Sequence, residues 1–327
     1  MKNAKKPIVV IVDEVYKKGR DIFDSVEEFD IVVASADESL LSKVIRDEEA
    51  FAVVLGTEKY TEALYQALQK CGVIARFGVG MDGLNFEKIQ QNQLLVTNTP
   101  GVLEHTVAEL TVFLAGEVMR KSGILSEKIK EGIWQPEVGT ELKNKVWGIV
   151  GLGNIGKKVS KILSFGFGAR VFACDVNSVG EEKVGEKYGV EKIYTDYAEL
   201  APFVDILSLH LPANHGTYHY LNEVRLKQLK PGAIVVNTAR GSLINENDLY
   251  DALEKGYLSG AGLDVFENEP YIPVEPGRDL RELSNVVLTP HIASYTAECS
   301  RRMAERVIKN IQLAITENYK QMDIVSF

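Results

Sequence analysis

Short β-branched runs alternate with helix-like segments along most of this chain, and that alternation limits the folds it can adopt. Segments with apolar residues at helical spacing, such as 58–69 and 243–255, separate the predicted strands. These strands include PIVVIV, DIVVAS, FAVVLG, LLVTN, VWGIVG, RVFACD, DILSLHLP, AIVVNTA and NVVLTP. Strand–helix alternation predicts parallel sheets with helices on both faces. Because 327 residues are too many for one ordinary core, we expect two α/β domains.

Composition and charge argue against several classes of protein. The net charge of −9 is unfavourable for binding nucleic acid or an anionic membrane surface. The first apolar run, residues 8–12, is too short for a signal-peptide core, and no stretch reaches the roughly 20 apolar residues of a membrane span. The three cysteines, Cys71, Cys174 and Cys299, lack metal-ligand spacing. We therefore expect a cytoplasmic protein without a disulfide framework or a metal site.

Two long helices are predicted near the joins between domains. Thr106 to Glu109 has the form of a capping box, and helix-forming residues continue to Met119. A second helix is predicted over 295–316. We interpret both as connections between the domains, with an ordinary surface helix as the alternative for the first. Residues 121–145 show little apolar periodicity, which predicts irregular structure or an interface arm.

A strand that runs directly into a glycine-rich turn gives the most specific cofactor signal. The segment KVWGIVGLGNIG places Gly151, Gly153 and Gly156 in a G-x-G-x-x-G pattern at the start of a predicted helix. The first glycine permits a tight turn, the second lets the backbone approach a pyrophosphate, and the third allows close packing of helix on strand. The helix N-terminus adds N–H groups and a partial positive charge. The turn therefore predicts a dinucleotide site.

An acidic residue after the next predicted strand indicates which dinucleotide binds. Asp175 follows the glycine turn by about 20 residues, where such folds place a carboxylate against the adenosine ribose hydroxyls. This carboxylate would repel a 2′-phosphate, and residues 176–178 offer no arginine. NAD is therefore predicted over NADP, with a solvated strand-end carboxylate as the alternative interpretation of Asp175.

Three predicted strand ends carry the groups that reduction of a ketone requires. His291 follows NVVLTP, Arg240 follows AIVVNTA, and Asp264 and Glu269 lie in GLDVFENE. Ligands bind at the carboxyl ends of strands in α/β sheets. A histidine can donate a proton to the nascent alkoxide, an arginine can hold a carboxylate, and a carboxylate beside an imidazole favours its charged form. Judged alone, Arg240 is as readily a surface cation, and Glu269 a loop charge.

Ordered motifs cover almost the whole chain. They are RFGVGMDG from Arg76, NTPG from Asn98, HTVAEL from His105, GLGNIG from Gly151, HLP from His210, NTARGSLI from Asn237, AGLDVFENEP from Ala261 and TPHIAS from Thr289. This set resembles the D-isomer-specific 2-hydroxyacid dehydrogenase family, within the branch of D-3-phosphoglycerate dehydrogenases and glyoxylate/hydroxypyruvate reductases. One departure is Asn144, where many members have glycine.

The resemblance implies two Rossmann-like domains with parallel sheets. An NAD-binding domain, residues 105–292, would be inserted into a discontinuous flavodoxin-like substrate domain made of residues 1–104 and 293–327. The implied activity is reversible hydride transfer between NADH and a small anionic 2-keto acid, giving the D-2-hydroxy acid. A homodimer through the NAD-binding domain, with an arm resembling residues 121–144, is also implied. Because the chain ends at Phe327, we expect no additional regulatory domain of the kind some phosphoglycerate dehydrogenases have.

The resemblance also assigns site residues. The catalytic arginine, glutamate and histidine fall on Arg240, Glu269 and His291. The implied substrate contacts are Arg76, Gly78, Val79, Gly80 and Arg240, and Arg76 can either meet a second anionic group or pair within its own domain. The implied dinucleotide contacts are Thr99, Gly151, Gly153, Asn154, Ile155, Gly156, Asp175, His210, Leu211, Pro212, Thr238, Ala239, Arg240, Asp264, His291 and Ser294, with Asp264 at the nicotinamide carboxamide.

Two alternatives remain at this point. A non-catalytic NAD sensor, as among the transcriptional corepressors of this fold, would retain the same residues. Oxidation of another small anion, such as phosphite or formate, would use the same scaffold. The motifs HLP, NTARG and ENEP favour the phosphoglycerate and glyoxylate/hydroxypyruvate branch over D-lactate dehydrogenases. They leave open which 2-hydroxy acid is the substrate.

Overall fold

The computed structural model describes residues 6–69, 72–177 and 181–326, so Cys71 and Ser178 lie outside the described residues. The chain divides into two compact units, Met1–Leu103 with Tyr295–Phe327, and Glu104–Ser294. These bounds lie close to the expected ones, and the assignment of one unit to substrate and the other to NAD stays a prediction. Cys174 and Cys299 are buried free thiols.

The first unit contains a five-stranded parallel sheet in the order β2-β1-β3-β4-β5, the order of flavodoxin. Its strands are β1 (Ile8–Val12), β2 (Asp30–Ala34), β3 (Ala52–Leu55), β4 (Val73–Arg76) and β5 (Leu95–Thr97). Its first four helices are α1 (Asp13–Phe23), α2 (Glu38–Asp47), α3 (Ala63–Ala67) and α4 (Phe86–Gln91). All residues of β3 and β4 are buried, as expected for parallel strands covered on both faces.

The second unit contains a seven-stranded parallel sheet in the order β12-β11-β10-β9-β6-β7-β8. Its strands are β6 (Val146–Val150), β7 (Arg170–Cys174), β8 (Val190–Tyr194), β9 (Ile206–Leu209), β10 (Ile234–Asn237), β11 (Gly260–Leu263) and β12 (Val286–Leu288). Its helices are α5 (Glu104–Arg120), α6 (Ser122–Lys130), α7 (Asn154–Ile162), α8 (Glu181–Tyr188), α9 (Tyr197–Leu200), α10 (Glu223–Leu226) and α11 (Glu246–Glu254). The strand order reverses between β6 and β9, and ligands of such sheets bind outside the carboxyl ends at that point.

The last helix returns the chain to the first unit. Helix α12 (Ala297–Ile315) begins after Thr296, whose side chain accepts a hydrogen bond from the N–H of Cys299. It packs closely on α1, where a Cβ added at Gly19 would lie 2.8 Å from Cβ of Ala304. The C-terminal segment then pairs antiparallel with β5 at Thr97 and Ile324.

The predicted fold class is confirmed, while several local predictions are wrong. Strands β4 and β8 were not among the predicted strands. The helix expected over 58–69 is reduced to α3, and α5 begins at Glu104, so Thr106 lies inside the helix and does not cap it. The segment expected to be irregular over 121–145 contains α6 before its irregular part.

Within the described ranges, no helix combines the length and apolar character needed to cross a membrane. The same ranges contain no group of three or more His, Cys, Asp or Glu side chains placed to hold a metal ion.

Candidate active site

The glycine-rich turn lies between β6 and α7, where the strand order reverses. Gly151 has a φ of +94°, and a Cβ there would lie 2.6 Å from the carbonyl oxygen of His210. A Cβ on Gly156 would overlap the carbonyl oxygen of Gly151. Each of these positions therefore requires glycine for a close backbone approach.

The start of α7 fits the pyrophosphate of a dinucleotide. Gly153 precedes the helix without a side-chain cap among the described residues, and a Cβ there would meet nothing within 4 Å. The space beside Gly153 is therefore open, next to the first turn of α7, which begins with Asn154 and Ile155. Uncapped N–H groups and the partial positive charge of a helix N-terminus bind phosphate oxygens.

The Asp175 carboxylate is fixed against this turn. Its Oδ2 accepts a hydrogen bond from the N–H of Leu152 at 2.7 Å, and its Oδ1 accepts one from the N–H of Asn177 at 2.8 Å. A carboxylate oxygen can accept more than one hydrogen bond, so both oxygens retain acceptor capacity for ribose hydroxyls. The geometry fits the role expected from the sequence.

The loop after β9 lies beside the glycine turn, and His210 at its start contacts Ser208 on β9. His210 Nε2 lies 3.0 Å from Oγ of Ser208, which also accepts a hydrogen bond from Nε1 of Trp147 at 2.8 Å. Burial lowers the pKa of His210 to about 3. This ring is therefore neutral near pH 7 and is unsuited to donate a proton there. Leu211 packs on the core of the unit, and the exposed Pro212 accepts a hydrogen bond from the Thr217 hydroxyl.

Arg240 extends from a rigid turn after β10. Side-chain Nδ2 of Asn237 donates to the Arg240 carbonyl at 2.8 Å, and the Ala239 N–H donates back to Oδ1 of Asn237 at 3.0 Å. The hydroxyls of Thr238 and Thr111 share a buried hydrogen bond of 2.8 Å. These contacts fix the backbone that carries the guanidinium group, whose Nη1 donates to the Ala239 carbonyl oxygen at 2.6 Å.

The structure brings Glu269 and His291 together. Nδ1 of His291 lies 2.7 Å from Oε2 of Glu269, and Oε1 of Glu269 accepts from the N–H of Phe266 at 3.0 Å. Burial raises the pKa of Glu269, but the hydrogen bond and charge of His291, the Phe266 N–H and the charge of Arg240 outweigh burial and lower this pKa overall. Glu269 is therefore an ionised partner for the imidazole through the neutral range.

Asp264 holds the turn that carries His291. Its carboxylate, 0% exposed, accepts hydrogen bonds from the N–H groups of Ile292 and Ala293, each at 2.8 Å, and from the Thr289 hydroxyl at 2.6 Å. Burial raises its pKa against these three opposing hydrogen bonds. His291 adopts a φ of +54°, a left-handed conformation that such a fixed turn can hold. A contact of Asp264 with the nicotinamide carboxamide stays a prediction.

The expected residues of the first unit lie at the end of β4, on the turn that follows it, and at Thr99 after β5. Arg76 is 4% exposed, and its Nε donates to the carbonyl oxygen of Gly80 at 3.0 Å. The N–H of Thr99 donates to the carbonyl oxygen of Gly78 at 3.0 Å. Nδ2 of Asn98 donates to the carbonyl oxygen of Val79 at 3.4 Å. Arg76 thus makes at least one contact within its own unit. Ser294, half-buried, ends the second unit.

Sequence reasoning missed a neighbouring group of side chains. Glu246 and Glu267 exchange backbone-to-carboxylate hydrogen bonds beside Glu269, and His219 Nε2 lies 2.8 Å from Oε2 of Glu267. Residue patterns say little about this group, because its main contacts run to backbone N–H groups. The only sequence signal was the position of Glu267 within the ENEP motif.

Comparison with known proteins agrees with the geometry. The family model for the NAD binding domain of D-isomer specific 2-hydroxyacid dehydrogenases matches residues 112–293. A glyoxylate reductase of Thermococcus litoralis is 34% identical over 319 residues, covering 94% of this chain and 93% of that protein.

Solved structures agree as well. The D-lactate dehydrogenase of Aquifex aeolicus, complexed with NAD and lactic acid, is similar with a TM-score of 0.82 at 25% identity, covering 97% of this chain and 98% of that chain. The NADPH-dependent glyoxylate/hydroxypyruvate reductase of Sinorhizobium meliloti, in complex with NADP and malonate, is similar with a TM-score of 0.80 at 26% identity, covering 95% and 94%. The chain therefore belongs to the D-isomer specific 2-hydroxyacid dehydrogenase family and is an oxidoreductase that acts on the CH–OH group with a nicotinamide dinucleotide cofactor.

Proposed function

We propose that this protein is an NAD-dependent D-2-hydroxyacid dehydrogenase that reduces a small 2-keto acid of the glyoxylate, hydroxypyruvate or phosphohydroxypyruvate type. The observation that supports this most directly is the 2.7 Å contact between His291 and Glu269. It joins a proton-transferring group to an ionised carboxylate at the strand ends of a dinucleotide-binding sheet.

His291 is the proposed proton donor. Its Nδ1 is engaged by Glu269, whereas its Nε2 has no hydrogen-bond partner within the described part of the chain. In reduction, Nε2 donates its proton to the carbonyl oxygen of the keto acid, and in oxidation the neutral ring takes the hydroxyl proton back. A dinucleotide held at the glycine turn would supply the hydride for C2 in reduction and would accept it in oxidation.

Arg240 is the proposed partner of the substrate carboxylate. A guanidinium group is permanently charged and pairs with a carboxylate through two parallel hydrogen bonds. Its influence on the pKa of Glu269 indicates that its charge acts near the His291 pair. For Arg76, Gly78, Val79 and Gly80, a role in substrate binding rests on the family resemblance.

Asp175 supports NAD over NADP. The similar solved structures include one with NAD and one with NADP, so the fold alone does not select the cofactor. The carboxylate of Asp175 is held at the glycine turn by two backbone N–H groups, and its charge opposes a 2′-phosphate.

Substrate choice is tested by following NADH oxidation with purified protein and a panel of 2-keto acids. The panel contains glyoxylate, hydroxypyruvate, its 3-phosphate, pyruvate, phenylpyruvate and 2-ketogluconate, with NADPH as the cofactor control. We expect NADH-specific turnover of glyoxylate or hydroxypyruvate. Absence of turnover across the panel, with NADH still bound, would contradict the proposal.

The alternatives are not favoured. The similar proteins named above are reductases and dehydrogenases of small 2-keto or 2-hydroxy acids. An NAD sensor without catalysis, or an enzyme for phosphite or formate, therefore lacks a supporting relative among them.

We further propose a homodimer formed through the second unit. Exposed apolar side chains follow α6, with Trp134 87% and Val138 94% exposed, and Phe113 and Ile129 on α5 and α6 are exposed as well. Large exposed apolar side chains are typical of surfaces that another chain covers. The buried free thiols of Cys174 and Cys299 accord with the cytoplasmic location that we propose.

A further inference from the structure

Two glutamates clamp the loop that carries Glu269. The N–H of Glu267 donates to Oε1 of Glu246 at 2.6 Å, and the N–H of Glu246 donates to Oε1 of Glu267 at 3.0 Å. Glu246 begins α11 and is 6% exposed. This reciprocal pair therefore ties the loop after β11 to the N-terminus of a helix.

The clamped peptide adjoins the one that orients Glu269, and the two share Phe266. Phe266 and Glu267 present consecutive N–H groups, the first to Oε1 of Glu269 at 3.0 Å and the second to Glu246. On its other side this peptide contacts the Arg240 turn, because a Cβ on Gly241 would overlap the carbonyl group of Phe266 and approach the nitrogen of Glu267. The 266–267 peptide is thus fixed between Gly241 and Glu246, and this fixes Phe266, whose own N–H binds Glu269.

Several titratable groups face Glu246. Glu267, Glu269 and Tyr271 face it from the loop after β11, and His219 faces it from the segment after β9. The pKa of Glu246 is raised to about 7, and burial is the main cause. The hydrogen bond from the Glu267 N–H and the charge of His219 lower this pKa, whereas the charges of Glu267 and Glu269 raise it further. Oε2 of Glu246 is buried and has no hydrogen-bond partner within the described structure. One oxygen of this carboxyl group thus serves the clamp, and the other is free to carry a proton.

We propose that Glu246 is a positioning residue for the reaction, which fixes the 266–267 peptide and through it the Glu269 carboxylate against His291. The inference rests on the proposed role of the Glu269–His291 pair. Glu246 makes its hydrogen bond to the backbone, so its removal misplaces a group that works within hydrogen-bond distance. Misplacement of a catalytic group by about 1 Å can cost on the order of 10²-fold in rate.

The test compares Glu246→Ala with Glu246→Gln. Alanine removes the acceptor for the Glu267 N–H, and we expect kcat to fall by about 10- to 100-fold while KM for NADH stays unchanged. Glutamine retains a carbonyl oxygen at that position, so it should restore most of kcat at neutral pH. Above about pH 7 an ionised Glu246 adds negative charge near Glu269, and glutamine cannot supply that charge. The alkaline limb of the kcat profile should therefore move to lower pH in Glu246→Gln. Glu254→Ala, at the opposite end of α11, is the matched control and should change neither kcat nor the pH profile.

A double-mutant cycle separates positioning from general damage. In a Glu269→Ala background there is no carboxylate to position, so Glu246→Ala should cost little further activity. Melting temperatures of all variants show whether each is folded. An equal loss from Glu246→Ala in both backgrounds, or wild-type kcat in Glu246→Ala, would overturn the inference. Full activity of Glu269→Ala itself would instead overturn the proposed function.

Discussion

The imidazole of His291 and the carboxylate of Glu269 meet at 2.7 Å although 22 positions separate them in the chain. They meet because β11 and β12 are neighbouring parallel strands, so the segments that follow them leave the same edge of the sheet. The contact pairs Nδ1 with a carboxylate whose lowered pKa keeps it charged, and leaves Nε2 available to substrate.

Glu269→Gln should narrow the pH range of keto-acid reduction on its alkaline side. A charged carboxylate favours the protonated imidazole, and a neutral amide of the same shape does not. We expect kcat/KM for reduction to decline at lower pH in the variant, measured against an exposed control, Glu282→Gln. The same pH profile in variant and wild type would remove the electrostatic role of Glu269.

The lowered pKa also means that Glu269 stabilises the fold above its ordinary titration range and that this contribution is lost as pH falls through its lower folded value.

Asp175→Ala should weaken the preference for NADH. Loss of a charged acceptor typically costs about 1.5–3 kcal/mol, which is about tenfold or more in KM for NADH. Removing the negative charge should lower KM for NADPH, since the 2′-phosphate is no longer repelled. Steady-state kinetics with both cofactors measure the ratio, and Asp175→Asn separates charge from shape. An unchanged NADH/NADPH ratio would rule out Asp175 as the selecting residue.

Gly241→Ala should damage both stability and turnover. A Cβ there overlaps the carbonyl group of Phe266, and overpacking of this kind costs about 1–3 kcal/mol. The displaced carbonyl group belongs to Phe266, whose N–H orients Glu269, so kcat should fall as well. Gly116→Ala, in α5 with open space around the added Cβ, is the control and should not destabilise the fold. The checks are the melting temperature and kcat of each variant. A Gly241→Ala protein as stable and active as wild type would contradict the close contact between Gly241 and Phe266.

Trp134→Ser should weaken the proposed homodimer. The side chain is 87% exposed in the single chain, so the substitution should leave the melting temperature of a monomer unchanged while removing apolar area from an interface. Light scattering across a dilution series measures the dimer dissociation constant. A monomer at all concentrations in the wild-type protein would dismiss the dimer, and equal dissociation constants would place the interface elsewhere.

The sequence allowed prediction of the fold class and of the strands whose residues are continuously apolar. Strand β8, VEKIY, was missed because charged residues interrupt its apolar pattern. Strand β4, VIAR, was missed because it has only four residues and the last of them is an arginine. Arg76 is nevertheless buried, with its Nε on the Gly80 carbonyl, a contact that composition cannot reveal. Local pattern therefore predicts strands well only where each residue is apolar in its own right.

Site residues were predictable where they end strands and unpredictable where they act on backbone. His291, Arg240 and Glu269 follow apolar runs, so strand ends indicated them together with the family resemblance. Glu246 follows Asn245, which caps α11 through the N–H groups of Asn247 and Asp248, and an acidic residue at a helix start is common without any function. Only the fold shows that the loop after β11 returns to that helix end.

The most direct measurement is single-turnover reduction of the preferred keto acid by His291→Ala, with NADH affinity measured by fluorescence titration of the same protein. Loss of a general acid typically costs about 10²–10⁴-fold, so the rate of reduction should fall by that factor. NADH affinity should be unchanged, because the proposed phosphate and ribose sites lie at the glycine turn and Asp175. His215→Ala, an exposed histidine, should retain the wild-type rate. A His291→Ala protein that reduces the keto acid at the wild-type rate would contradict the account.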